Sequence, residues 1–222
     1  MTTKIIAASP SPAPTRRGRG RPQSFDRAQA LCTAMRLFWD RGYDGTSFDD
    51  LTAAMGISAS SFYNAFGSKE SLYQEAIAAY LKLVGTWFST ILDQPTDTRT
   101  AFAHLLATAA TEFTRTDLPT GCMIAAAATQ CPPTQARLRD LLATQRTQSE
   151  TALVTRLRQG QQAGDLPPET DIDSLAAYYS ALLRGMALQA RDGAPRERLQ
   201  AIAHIAMHAW PTPPQTTAPA TP

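Results

Sequence analysis

The 222-residue chain is long enough to bury a real core, as one large domain or two small ones. No run approaches the ~20 apolar residues of a membrane span, and the apolar patch Ile5 to Ala8 is too short for a signal-peptide core. Three cysteines without CxxC spacing (Cys32, Cys122, Cys131) suit reduced thiols and a cytoplasmic location better than a disulfide framework.

The net charge of +2 conceals an asymmetry. Residues 1–69 hold nine Lys or Arg against five Asp, whereas residues 70–222 hold twelve basic against fourteen acidic side chains. The basic charge peaks at Arg16, Arg17, Arg19 and Arg21, separated only by Gly18 and Gly20. Residues 1–22 therefore read as a disordered basic arm that can follow a phosphate backbone or enter a minor groove, with a solubilising tail as the alternative. The Pro-rich segment 211–222 reads as a second disordered tail.

Between these ends every periodic segment reads helical. Leu31, Cys32, Met35, Phe38 and Trp39 form one helix face, which Gly42 is placed to end. Ser47 can cap a second helix with Asp50 three residues on. Phe48, Leu51 and Met55 form its inner face, and Gly56 interrupts it. Ser58 can cap a short third helix that runs to about Phe66. Ser68 caps a long fourth helix, whose stripe is Leu72, Ala76, Ala79, Leu83, Trp87 and Ile91. Further helices are expected over 98–116, 123–129, 134–162, 171–191 and 195–209, separated by Gly and Pro breaks. No segment alternates as a strand does, so the fold class is all-α.

Residues 47–66 are a helix, a turn containing Gly56, and a second short helix. A helix-turn-helix needs an apolar face on its second helix to dock and a small polar face to read bases. Phe62 and Phe66 supply the first; Ala59, Ser60, Ser61, Tyr63 and Asn64 point the other way. A tyrosine among small polar residues has a hydroxyl that can reach a phosphate, while the small side chains let the helix approach base edges.

Leu51 to Ser58, then Ser61-Phe62-Tyr63-Asn64-Ala65-Phe66-Gly67-Ser68-Lys69-Glu70-Ser71-Leu72, resembles the DNA-binding domain of TetR-type repressors. The preceding Phe38, Gly42-Tyr43 and Thr46-Ser47 match as well, and Ser60 stands where the family often has glycine or proline. The resemblance implies phosphate contacts for Thr46, Ser47, Tyr63 and Lys69, and base contacts for Ser58, Ala59, Ser60, Ser61 and Asn64; Arg19 and Arg21 join them as DNA-binding candidates on the charge of the arm. It implies domains at 23–69 (helix-turn-helix) and 70–210 (helical effector-binding and dimerisation). It also implies a homodimer on palindromic double-stranded operator DNA, formed through the last two helices. Ile172, Leu175, Tyr179, Leu182, Leu183 and Met186, continued by Leu199, Ile202 and Ala206, offer a stripe for that interface, with a monomer core as the alternative.

The same resemblance implies a pocket for an unidentified small-molecule effector. Trp87, Phe88, Phe102, Phe113, Met123, Tyr178 and Tyr179 are its candidate lining, against plain core packing. Cys122 and Cys131 have no basic neighbour in sequence to lower a thiol pKa, so inert cysteine is the favoured reading. His204 and His208 at i and i+4 lack an evident third ligand, so neither a metal nor a cofactor is expected. GxSxG, HExxH and GxxxxGK[ST] are absent, and Gly18-x-Gly20 has no preceding strand, which argues against an enzyme. The alternative function is a constitutive DNA-binding protein without an effector; a cavity between the helices separates the two.

Overall fold

Each of the first four helices starts where a side chain can take up its free amides. In the computed structural model, which describes residues 25–130 and 136–212, the Asp26 carboxylate accepts from the amides of Ala28 and Gln29 and opens α1 (Arg27–Arg41). Ser47 and Asp50 form a reciprocal capping box at α2 (Phe48–Met55). Ser58 caps α3 (Ala59–Phe66), and Ser68 caps α4 (Lys69–Leu92). Gly56, with φ 65°, ends α2 in the left-handed region, so the turn between α2 and α3 is tight where a side chain would be strained.

The chain continues through α5 (Thr98–Glu112), α6 (Met123–Gln130), α7 (Ala136–Ala163), α8 (Ile172–Arg191) and α9 (Arg196–Ala206), followed by a 3-10 turn over Met207–Ala209. Among the described residues there is no strand. The fifth helix stops at Glu112, earlier than the expected 116, and the last α-helix at Ala206, tightening into the 3-10 turn.

Two clusters of buried side chains hold the helices together. One is the head: Phe38 and Trp39 of α1, Leu51 of α2, Phe62 and Phe66 of α3, and Leu72, Tyr73, Ile77 and Tyr80 of α4. It does not end with the head, because Met123, Ile124 and Ala127 of α6 and Leu138 and Leu142 of α7 belong to it. The second gathers α5, α7, α8 and α9 around Phe102, Leu105, Leu157, Tyr179, Met186 and Leu199. Helix α4 is shared. Its first turns complete the head, and Ile91 and Leu92 at its far end lie in the second cluster.

Two expected stripes are corrected. On α4 the inward face is shifted toward Tyr73, Ile77 and Tyr80, because these rings and chains meet α1; Leu83 is left exposed. On α8 and α9 the residues Ile172, Tyr179, Met186, Leu199 and Ala206 are buried within the chain itself, so most of the stripe assigned to a dimer contact is monomer core. The apolar face left open is another one, with Tyr178, Ala181, Gly185 and Leu188 on α8 and Ala201 and Ile205 on α9.

Candidate nucleic-acid interface and internal cavity

Helix α3 divides its side chains sharply. Phe62 is fully buried, in edge contact with Phe48 at 4.8 Å, and Phe66 is buried beside it. Its neighbour Tyr63 is 56% exposed, with its ring stacked on Phe48 at 5.2 Å. That stacking holds the phenol at the surface without burying its hydroxyl end. Ser58, Ala59, Ser60 and Asn64 are exposed and Ser61 half-buried. The Ser58 hydroxyl lies 3.0 Å from those of both Ser60 and Ser61, so one face carries a small hydroxyl cluster and a carboxamide.

Around it, Ser47 is exposed and engaged with Asp50, whose carboxyl is held below the usual range by the Ser47 hydroxyl and backbone amide. The Lys69 ammonium stands 4.2 Å from the centre of the Tyr43 ring at the start of α4; partial burial lowers its pKa, against the pull of Asp44. Thr46 corrects an expectation. Its side chain is 0% exposed and its hydroxyl donates to the Gly42 carbonyl at 2.8 Å, so it secures the α1–α2 connection and is not presented to a phosphate. Arg19 and Arg21 lie outside the described residues.

A cavity of about 150 Å3 lies between α4, α6, α7 and α8. Trp87, Phe88 and Phe113 line it, as expected of candidate pocket residues. The other four candidates do not. Phe102 and Tyr179 pack against each other at 5.0 Å, deep in the second cluster with Trp210, because α5 and α8 meet there. Burial raises the Tyr179 phenol pKa, and its hydroxyl donates to the Ala206 carbonyl at 3.4 Å. Met123 is buried on the head side, and Tyr178 is 42% exposed on the open face of α8.

The cavity's polar residues escaped the sequence reading. Tyr80 and Cys122 border it on one side; Arg146, Ser149, Ser180 and Arg184 reach it from α7 and α8. A signal was present. On α7, Leu138, Leu142, Leu153 and Leu157 are buried at helical spacing, and Arg146 and Ser149 occupy the intervening positions of that same stripe. Two polar side chains in core register mark a lined space rather than a packed one. Cys131 lies outside the described residues. His204 and His208 sit exposed on α9 and beyond it, their rings 4.9 Å apart, and among the described residues no group of three metal-ligating side chains converges.

Known proteins share both halves of this arrangement. The family model "Bacterial regulatory proteins, tetR family" matches residues 30–76, and "Tetracyclin repressor-like, C-terminal domain" matches residues 100–205. The HTH-type transcriptional repressor ComR of Escherichia coli K12 is 33% identical over 88% of this chain and 94% of its own length. BdcR of the same organism, also an HTH-type transcriptional repressor, is 27% identical over 87% of this chain and 93% of its own. Among solved structures, a cysteine-substituted form of the TetR family regulator CifR, complexed with 26-base-pair double-strand operator DNA, superposes with a TM-score of 0.82. It is 42% identical and covers 86% of this chain and 100% of its own. With a helix-turn-helix head, a helical body and relatives matched along nearly their whole length, the chain belongs to the TetR family of DNA-binding transcription regulators, not to a family of enzymes.

Proposed function

We propose that this protein is a repressor that sits as a homodimer on a palindromic operator and is released when a small molecule occupies the cavity. The observation that carries the DNA half is the split of α3, with Phe62 and Phe66 anchoring it and Ser58, Ala59, Ser60, Ser61 and Asn64 facing outward as base readers. Ser47, Tyr63 and Lys69 flank that face as phosphate contacts, and Arg19 and Arg21 extend it along the DNA. The operator complex of CifR and the repressor activity in the names of ComR and BdcR support the same reading.

For the dimer, the support is the open apolar face of α8 and α9. Leu188 is 50% and Ile205 66% exposed, flanked by Ala181, Gly185 and Ala201, so two copies can approach closely about a two-fold axis. The two heads must then lie about one DNA turn apart, roughly 34–36 Å or a multiple, to engage both half-sites. The cavity favours an effector-controlled protein over a constitutive DNA-binder. It is walled by Tyr80 and Trp87 of α4, the helix that begins at Lys69 in the head, so a ligand there acts on the element that sets head spacing. An effector that binds better to another spacing lowers operator occupancy by its differential affinity.

The test is selection of bound fragments from genomic DNA with the purified protein, followed by footprinting. The expected result is one protected site with dyad symmetry and two protein chains bound. Protection without symmetry, or one chain per site, contradicts the proposal.

A further inference from the structure

The cavity wall is apolar over most of its extent, with Leu81, Val84, Phe113, Leu153 and Leu183 among its residues, yet three of its lining residues carry buried hydrogen-bonding groups that no described residue satisfies. The Nη1 of Arg146 and the Nε1 of Trp87 are buried without hydrogen-bond partners among the described residues. The Tyr80 hydroxyl is buried beside the Cys122 thiol and the Met123 amide but forms no well-aligned hydrogen bond, and burial pushes its pKa well up, so it keeps its proton. Each of the three can donate, and only the Tyr80 hydroxyl can also accept; among the described lining residues no other buried acceptor is left without a partner. A buried donor left unpaired costs about 1–3 kcal/mol, and more when charged.

The charge count has the same sense. Two arginines line the cavity and, among its described lining residues, no acid does. Arg184 is already matched, donating to Glu150 at 2.8 Å and to the Ser180 hydroxyl. No ion pair neutralises Arg146 among the described residues. One unmatched guanidinium calls for one negative charge, which favours a monoanion over a phosphate dianion. A cavity of about 150 Å3 is roughly the size that accommodates a benzene molecule in an engineered protein interior.

From this we propose that the cavity takes a compact monocarboxylate, an aromatic ring or short branched chain bearing one carboxylate, with Arg146 as the carboxylate's partner and the α4 aromatics around its apolar body. The proposal deepens the effector reading above and rests on it. Trp87 and Tyr80 supply the remaining donors, so the carboxylate's oxygens find partners without displacing a structural hydrogen bond. Neutral isosteres gain the apolar contact but not the charge-assisted bonds.

The test uses the full-length protein, with benzoate, 3-methylbutanoate and neutral benzamide as probes. Calorimetry and tryptophan fluorescence at pH 7 report binding, and operator-bound protein reports release. At least one of the two carboxylates should bind at least about tenfold more tightly than benzamide. Arg146→Gln should remove that preference while keeping the wild-type melting temperature, and Arg184→Gln should retain it. If Arg146→Gln does not fold, Arg146→Lys, which keeps the charge but loses the fork, should weaken carboxylate binding more than benzamide binding. Affinity of both carboxylates no greater than that of benzamide, or carboxylate binding that survives loss of Arg146, overturns the proposal, as does failure of both carboxylates to bind at millimolar concentration. Arg146-dependent carboxylate binding that leaves the operator complex intact supports the site and overturns instead the effector reading on which it rests.

Discussion

The indole of Trp39 in α1 meets the phenol ring of Tyr80 in α4 edge-on, with ring centres 4.8 Å apart. Trp39 belongs to the head, while Tyr80 borders the cavity. From the opposite side Arg191, in the last turn of α8, donates to the Trp39 carbonyl at 2.8 Å and to the Asp40 carbonyl. The end of α1 is therefore gripped by two helices that also wall the cavity. Gly121 tightens this corner: with φ 76°, it brings the chain so close to α8 that a Cβ there would stand 2.5 Å from the Ala187 carbonyl.

This grip predicts a separation of DNA affinity from ligand response. Arg191→Ala removes two hydrogen bonds across the head–body junction and should leave operator affinity in the absence of ligand within a few-fold of wild type. The ligand-induced loss of operator affinity should fall several-fold, a coupling change of about 1 kcal/mol. Operator isotherms with and without ligand, for wild type and Arg191→Ala, measure it; an unchanged ratio places the coupling elsewhere.

Adjacent residues of α3 should behave in opposite ways. Phe62→Ala empties the centre of the head and should cost about 3–5 kcal/mol of stability, read by thermal or denaturant unfolding. Tyr63→Phe should melt as wild type does but bind operator and random duplex more weakly, since it removes only a hydroxyl at the surface. Lys69→Ala should weaken binding to both duplexes and reduce the salt slope by about one. Full-strength binding by Lys69→Ala at every salt concentration would remove it from the interface.

Much of the head was legible because its signals are local. Ser47, Ser58 and Ser68 each cap the helix that follows, and the spacing of Phe62 and Phe66 sets which face of α3 is free. The body was less legible because its faces are decided by partners distant in sequence. Tyr179 became core once α5 and α9 closed over it, and Tyr178, one residue earlier, was left outside. The cavity needed four helices to exist at all, so aromatic content alone selected Phe102 and Tyr179 along with Trp87. The place of Thr46 is not legible for a similar reason: at the start of a helix its hydroxyl can face solvent or its own chain, and here it donates to the Gly42 carbonyl.

The open face of α8 and α9 makes a prediction about assembly. Ile205→Arg places a charge in an apolar contact at a residue that touches little of its own chain. It should shift the protein to monomer in sedimentation or light scattering, with the helical spectrum retained and operator affinity reduced by at least about a hundredfold. A dimer unaffected by both Ile205→Arg and Leu188→Arg assigns the interface to another surface.

Deletion of residues 1–21 should lower operator affinity and flatten its salt dependence, because four arginines leave while no residue of either buried cluster does. The melting temperature and dimer should be unchanged. Coincident footprints and isotherms for truncated and full-length protein would reduce the arm to a solubilising tail.

The central claim, that α3 reads base sequence, is tested most directly by the specificity ratio of Asn64→Ala. Its affinities for the selected operator and for a scrambled duplex of equal length are measured at one salt concentration. Because Asn64 is exposed on the outward face, the fold should be unaffected. The account predicts that operator affinity falls by about 1–3 kcal/mol while scrambled-duplex affinity stays near wild type, so that the ratio collapses about ten- to a hundredfold. A ratio equal to that of the wild-type protein, for Asn64→Ala and for Ser60→Ala and Ser61→Ala alike, would contradict it.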